Sequence, residues 1–297
     1  MTRPNPPLAI ALILVATAFI AGTTLLAKVL GTDALGEPLH PFQVTHGRFL
    51  FALIALASVA AILRPELQRP HLGLHMARTT CGAIGVTLMF AAAARMPLAD
   101  ATAISFLNPV FGMILAIPLL GEKVGPVRWS AAAIAFAGAL VLLRPGPDTF
   151  QVAALLALGA AAVMGLELIF IKKLASRERP FQILLVNNTI GWILASTAVI
   201  PVWQMPTPAQ WAALAGLGVL MACAQACFVN AMARADASLV TPFTYLTLLF
   251  AALYDAAIFG IIPDWISLLG AAIILTGAAL LAWRETRARR IPKTSGA

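Results

Sequence analysis

Ten apolar stretches, separated by short joins rich in Gly, Pro or charge, leave this chain little choice of fold. They run at about 8–30, 42–63, 72–94, 98–119, 127–143, 152–173, 181–203, 209–233, 237–259 and 264–283. A helix of about 20 apolar residues spans the ~30 Å hydrocarbon core of a bilayer. Soluble domains carry about a quarter charged residues, whereas here 11% are charged and 61% hydrophobic, too few polar groups to cover a water-facing surface. The alternating segments of about ten residues that build membrane barrels are absent. Runs such as SAAAIAFAGALVLL at 130–143 satisfy their backbone in lipid only as helices. The fold class is all-α, a polytopic membrane protein of ten transmembrane helices.

The net charge of +8 invites a nucleic-acid reading until the positions of the charges are read. With the N-terminus placed in the cytoplasm, only Arg95 and Arg144 fall in outer joins, and Lys28 and Arg48 fall inside spans. Every other Lys and Arg lies on the inner side, in the N-terminal segment, in an inner join or at the inner end of a span, or in the basic tail 284–297, which follows the positive-inside rule. Both termini are therefore cytoplasmic, and the basic residues are topology signals. The tail RETRARR is first a topology anchor, although it also suits anionic lipid. The expected partners are the lipid bilayer and a small-molecule substrate, with no nucleic acid; monomer and homodimer stay open. Arg3 before an apolar run, with Ala16-Thr17-Ala18, has the look of a secretory signal. Cleavage would leave nine spans, so the first helix is expected to stay. The three cysteines, Cys81, Cys223 and Cys227, all fall inside spans without disulfide or metal spacing. No cofactor or metal is expected.

Pro-Phe-Gln occurs at 41–43 and again at 180–182, an offset of 139 residues. At the same offset Arg95 matches Arg234, Phe111 matches Phe250, Gly121 matches Gly260, and Gly138 matches Gly277. A duplicated unit of five helices follows, 8–143 and 152–283. Five is odd, so the second copy enters the membrane from the opposite side. The charges agree: the basic inner join after the second span aligns with 204–209, which has no Lys or Arg. Two inverted bundles exchange which side of a shared site is open, the basis of alternating-access transport.

Several short motifs in order add a resemblance. They are GTTLLAKVL at the end of the first helix, Arg48 after Pro-Phe-Gln, Asn108-Pro109 in the fourth, and Leu120-Gly121-Glu122-Lys123 after it. With a Gly-containing fifth helix, the chain resembles the drug/metabolite transporter superfamily, specifically its ten-helix EamA-type exporters. Its look is closest to the YddG-type amino-acid exporters of bacterial inner membranes. The resemblance implies a central cavity between the repeats, with helices 5 and 10 peripheral. It further implies export of small metabolites, foremost aromatic and other largely neutral amino acids, with drugs or other metabolites as the alternative. Small four-helix relatives carry a proton-coupling glutamate in helix 1; helix 1 here has none, so proton antiport is not carried over.

Ionisable groups at the centre of a span cost about 2.5–3.5 kcal/mol on insertion scales, so those retained usually have work to do. Arg48, about 10 Å below the outer boundary, has two readings. One is a structural ion pair with Asp100, or snorkelling; the other is a bidentate contact to a substrate carboxylate. His46 points away from it around the helix. Lys28 and Asp255, near the outer ends of their helices, read as snorkelling residues. Asn187 aligns with Arg48, and Glu167 is either a structural carboxylate or a site for a proton or substrate amine. Gln225 and Asn230 suit interhelical hydrogen bonds. Pro109 predicts a gate or kink at Asn108. The aligned stretch Thr244–Leu248 has no proline, so the two hinges are expected to differ. Met89, Phe90, Phe106, Phe111 and Tyr245 complete the expected substrate path. An enzyme is not expected: no catalytic motif is present, and the stripe His71, His75, Arg78, a weak sign of an interfacial site for a lipid-modifying enzyme, reads as juxtamembrane topology.

Overall fold

Proline punctuates the helix starts. In a computed structural model, residues 5–120, 125–143, 152–175, 177–232, 234 and 241–290 are described. They form α1 (Pro6–Leu30), α2 (Pro41–Leu63), α3 (Leu72–Ala93), α4 (Leu98–Ser105), α5 (Asn108–Leu120) and α6 (Pro126–Leu143) in the first half. The second half holds α7 (Val152–Ala175), α8 (Pro180–Val199), α9 (Pro208–Met232), α10 (Leu246–Phe259) and α11 (Trp265–Arg290). Pro6, Pro41, Pro126, Pro180 and Pro208 each stand at the first helical position, where a missing N–H leaves no orphan. Seven segments are long and apolar enough to cross a bilayer, with α4 and α5 together making one pass; shorter apolar stretches in α6, α10 and α11 supply three more. This is the ten-helix architecture expected.

The break between α4 and α5 lies at Phe106–Leu107, just before the proline that causes it. Phe106 and Leu107 donate to Ala103 and Ile104 in tight three-residue turns at 3.1 and 3.0 Å, since Pro109 has no N–H to continue the ladder. The second half breaks in a different way, without a proline at the aligned position. Thr241–Tyr245 is a 3-10 turn leading into α10, so this pass too changes helix type at Tyr245, the aligned partner of Phe106. The two rings meet edge to face, with centroids 5.3 Å apart. A proline is one way to weaken a helical ladder at that depth; a 3-10 lead-in is another.

The two copies of Pro-Phe-Gln do matching work on opposite sides. Gln43 is buried; its Nε2 donates to the Gln204 carbonyl at 2.6 Å and its Oε1 accepts from the Gln204 N–H at 3.3 Å. Gln182 accepts from the Gln68 N–H at 2.7 Å. Each glutamine thus pins the loop between the second and third passes of the other half. Proline starts the helix, and glutamine, two residues on, ties it across the repeat.

Packing relies on small residues, as expected where lipid offers no hydrophobic drive between helices. α6 lies along α11, α3 along α7, and α1 along α9. A Cβ on Gly138 would lie 2.6 Å from the Ile274 backbone nitrogen, and one on Gly277 would lie 2.6 Å from the Ala135 nitrogen. These two glycines are repeat partners, so the same close approach is made twice in one interface. Large apolar side chains such as Ile54, Ile62, Leu63, Leu249 and Leu253 point outward, as a lipid-facing surface requires.

Candidate functional site

Three helices bring charge together in the interior, and a fourth, α8, lines it with neutral polar groups. Arg48 on α2 is 8% exposed and Arg78 on α3 is 6% exposed. The Arg78 Nε stands 3.5 Å from Glu167 Oε1 on α7, and Arg48 lies within electrostatic range of both. Arg78 Nη1 donates to the Ile183 carbonyl on α8 at 3.4 Å. Beside it, Thr79 donates to Asn187 Oδ1 at 3.1 Å. Space for the carboxylate comes from Gly82, where a Cβ would lie 3.0 Å from Glu167 Oε1. The Nε atoms of both arginines are buried without a hydrogen-bond partner. Arg48 rests on its neighbour Phe49, its guanidinium carbon 4.4 Å from the ring centroid. Phe49 in turn presses on Gly191 of α8, where any Cβ would fall 2.3 Å from the ring.

The expected Arg48–Asp100 pair is not formed. Asp100 Oδ2 accepts from Ser267 on α11 at 3.3 Å, while the charges around Arg48 are Glu167 and Arg78. Asp100 opens α4, and the α3–α7–α8 side of the bundle, not α4, surrounds Arg48. Arg48 shares the centre with Glu167 and lies in the same polar region as Asn187. His46 turns away, its ring 5.8 Å from Trp203. Met89 and Phe111 sit in a hydrophobic core with Leu107 and Val110, and Phe111 meets Phe136 at 5.4 Å. Asn108 opens α5 where it crosses α7 closely, since a Cβ on Gly165 would lie 2.7 Å from the Asn108 carbonyl. Gln225 on α9 keeps a buried Oε1 without a partner, while Asn230 bonds within its own helix, to Ala226. Phe90 helps line an outer vestibule of about 420 Å³ with Ala27, Leu39, Val44, Arg95 and Gln204. That volume falls within the range of small-molecule sites.

Two buried carboxylates at the ends of the bundle were not legible as such. Lys28 and Asp255 do not snorkel: they are 5% and 1% exposed and form an ion pair at 2.6 Å. Asp255 Oδ2 also accepts the backbone N–H of Leu98, capping α4 from across the bundle. At the cytoplasmic end, Glu178 in the α7–α8 turn accepts from the His71 N–H at 2.7 Å, His71 Nδ1 at 2.9 Å, His75 Nε2 at 2.9 Å and Gln182 Nε2 at 2.7 Å. Burial works to raise this carboxyl, but the His71 N–H and the donors from His75, His71 and Gln182 hold it down at about 2. The stripe read as topology therefore splits in two, with His71 and His75 on Glu178 and Arg78 on Glu167. Each carboxylate joins the second half to a helix start in the first, one on each side of the membrane.

A bundle of two inverted halves, with unpaired buried donors at its centre and cross-half ties at both ends, defines a membrane transporter of small solutes. Comparison with known proteins gives the family. The EamA-like transporter family matches residues 7–144 and 151–283, and the chain belongs to it. It is 35% identical over 234 residues to a riboflavin transporter of Vibrio cholerae, covering 77% of each chain. A riboflavin transporter of Rhizobium johnstonii is 36% identical, over 73% of this chain and 72% of that one. An S-adenosylmethionine uptake transporter of Rickettsia bellii is 28% identical, over 86% and 88%. One solved crystal structure, 20% identical, superposes with a TM-score of 0.62 over 95% of this chain and 99% of that one, a likeness of fold. The protein is a multi-pass transporter of the bacterial inner membrane and not an enzyme.

Proposed function

We propose that the protein carries a planar heteroaromatic metabolite across the inner membrane by alternating access, with riboflavin as the first candidate. The observation that carries this reading is the pair of riboflavin transporters 35% and 36% identical over about three quarters of the chain. The interior is compatible with it. Riboflavin is uncharged at neutral pH and rich in hydrogen-bond acceptors, and the centre offers two buried guanidinium donors beside one carboxylate. Phe90 at the vestibule and the Phe106–Tyr245 pair supply aromatic faces.

The amino-acid reading keeps one supporting observation, the buried and unpaired Arg48, which suits a carboxylate. Uptake into proteoliposomes separates the two readings. Labelled riboflavin is expected to enter, saturably and without chemical change, while aromatic amino acids at tenfold excess leave that entry unaltered. Flux of amino acids with none of riboflavin would overturn the proposal. Running the assay with substrate loaded inside or outside gives the direction of net transport.

A further inference from the structure

The interior set Arg48, Arg78 and Glu167 has unspent hydrogen-bonding capacity. The arginines are 8% and 6% exposed, and neither Nε has a partner. Arg48 forms no hydrogen bond among the described residues, and Arg78 reaches only the Ile183 carbonyl at 3.4 Å. Glu167 stands 3.5 Å from Arg78 Nε, too far for a normal hydrogen bond. Buried charged donors without acceptors are costly, and in a membrane interior they persist mainly where a ligand or water path meets them. The three side chains come from α2, α3 and α7, so no single helix explains their meeting.

Their chemical types restrict what completes them. A simple carboxylate would satisfy the two guanidinium groups but would be set against the Glu167 carboxylate. A ligand edge with two carbonyl oxygens flanking an N–H satisfies all three at once. Its carbonyls accept from the arginines, and its N–H donates to Glu167. We propose that Arg48, Arg78 and Glu167 are the specificity-determining residues and that they read such a cyclic imide edge. The pyrimidine-dione end of the isoalloxazine ring carries this edge, so the inference rests on the riboflavin reading and deepens it. Gly82 belongs to the same design, because a side chain there would crowd the carboxylate that accepts the N–H.

The test is competition against labelled riboflavin influx in proteoliposomes of the wild-type protein. 3-Methylriboflavin lacks the N–H and adds bulk facing Glu167; 5-deazariboflavin keeps the edge and alters the central ring. An unsatisfied buried acceptor predicts that the 3-methyl analogue competes about 10- to 100-fold more weakly than riboflavin. The 5-deaza analogue is expected to compete within about threefold of riboflavin, because every bond of the edge remains. Glu167→Ala should weaken riboflavin and shrink the penalty on the 3-methyl analogue. The wild-type comparison stands even if that variant fails to fold. Equal competition by the 3-methyl analogue, or an equal loss with the 5-deaza analogue, overturns the edge reading alone. No riboflavin influx at all overturns the substrate reading and this inference with it.

Discussion

Phe106 and Tyr245, 139 residues apart in sequence, meet edge to face with ring centroids 5.3 Å apart, where each half changes helix type. Residues related by a two-fold repeat touch each other only near the axis relating them. The contact therefore lies at the axis that relates the two halves, and two unlike breaks converge on it. An edge-to-face pair contributes about 0.5–1.5 kcal/mol beyond its area.

The first prediction separates ring from hydroxyl at this contact. Tyr245→Phe keeps the ring and should leave thermal stability in detergent near that of wild type. Phe106→Ala and Tyr245→Ala should each lower it by about 3–5 kcal/mol at most, the range for aromatic truncation in a core. The double substitution should cost less than the sum of the two. Strict additivity in a melting experiment would mean that the rings do not interact.

A second prediction concerns the α6–α11 interface. Gly138 and Gly277 each face a partner backbone atom at 2.6 Å from a would-be Cβ. Backbone cannot rotate away as a side chain does, so the helices must part. Gly138→Ala and Gly277→Ala should each destabilise by about 1–3 kcal/mol, the usual cost of overpacking. As the two sites are repeat-related, their effects should be of similar size. Unchanged melting for both variants would show the interface to be looser than this geometry.

How much of this was readable beforehand follows from what sequence periodicity and charge encode. Span count, orientation and the inverted repeat depend on local hydrophobicity and on Lys and Arg position, which a single sequence carries in full. Pro-Phe-Gln announced a repeat, yet the work of Gln43 and Gln182 depends on loops 161 and 114 residues away. Arg48 stands out in the sequence as a charge inside a span, but membrane depth alone assigns it Asp100 as a neighbour, and depth says nothing about azimuth around the bundle. The same limit turned Lys28 and Asp255 into snorkelling residues: both lie near the outer boundary, and only tertiary packing decides whether a charge there reaches water or a partner. Glu178 went unremarked because a carboxylate in a basic join carries no signal of burial.

The third prediction concerns acid stability through Glu178. Its donors hold the folded carboxyl at about 2, below the ordinary 4.5. A depressed carboxyl gives stability that is full above the unfolded value and is lost as pH falls through the folded one. Wild-type melting temperature should therefore drop between about pH 4.5 and pH 2 by more than that of Glu178→Gln, which has no such proton to take up. At neutral pH the variant should be the less stable of the two. Parallel pH profiles for the two proteins would sink this assignment.

The final prediction treats the outer ion pair as a closure. Lys28 on α1 and Asp255 on α10 meet at 2.6 Å, and Asp255 also holds the first N–H of α4, so one carboxylate ties three helices at the outer end. Removing one member of a buried pair leaves the other charged and unsolvated, at a cost of about 3–5 kcal/mol. Lys28→Ala should accordingly be more damaging than Lys28→Ala combined with Asp255→Asn, because the asparagine keeps an acceptor for Leu98 and carries no charge. Stability alone does not tell a static strut from a gate. Leu25, buried beside Leu98 below the pair, supplies the needed readout. In a background without Cys81, Cys223 and Cys227, a Leu25→Cys reporter should react slowly with a membrane-impermeant thiol reagent added outside. With the pair neutralised by Lys28→Gln and Asp255→Asn, opening should be more frequent and labelling faster, by about tenfold for each 1.4 kcal/mol of closure removed. Labelling that stays slow while stability falls would make the pair a strut and move the outer gate elsewhere. Faster labelling, with substrate slowing it again, identifies Lys28 and Asp255 as the contact broken in each transport cycle.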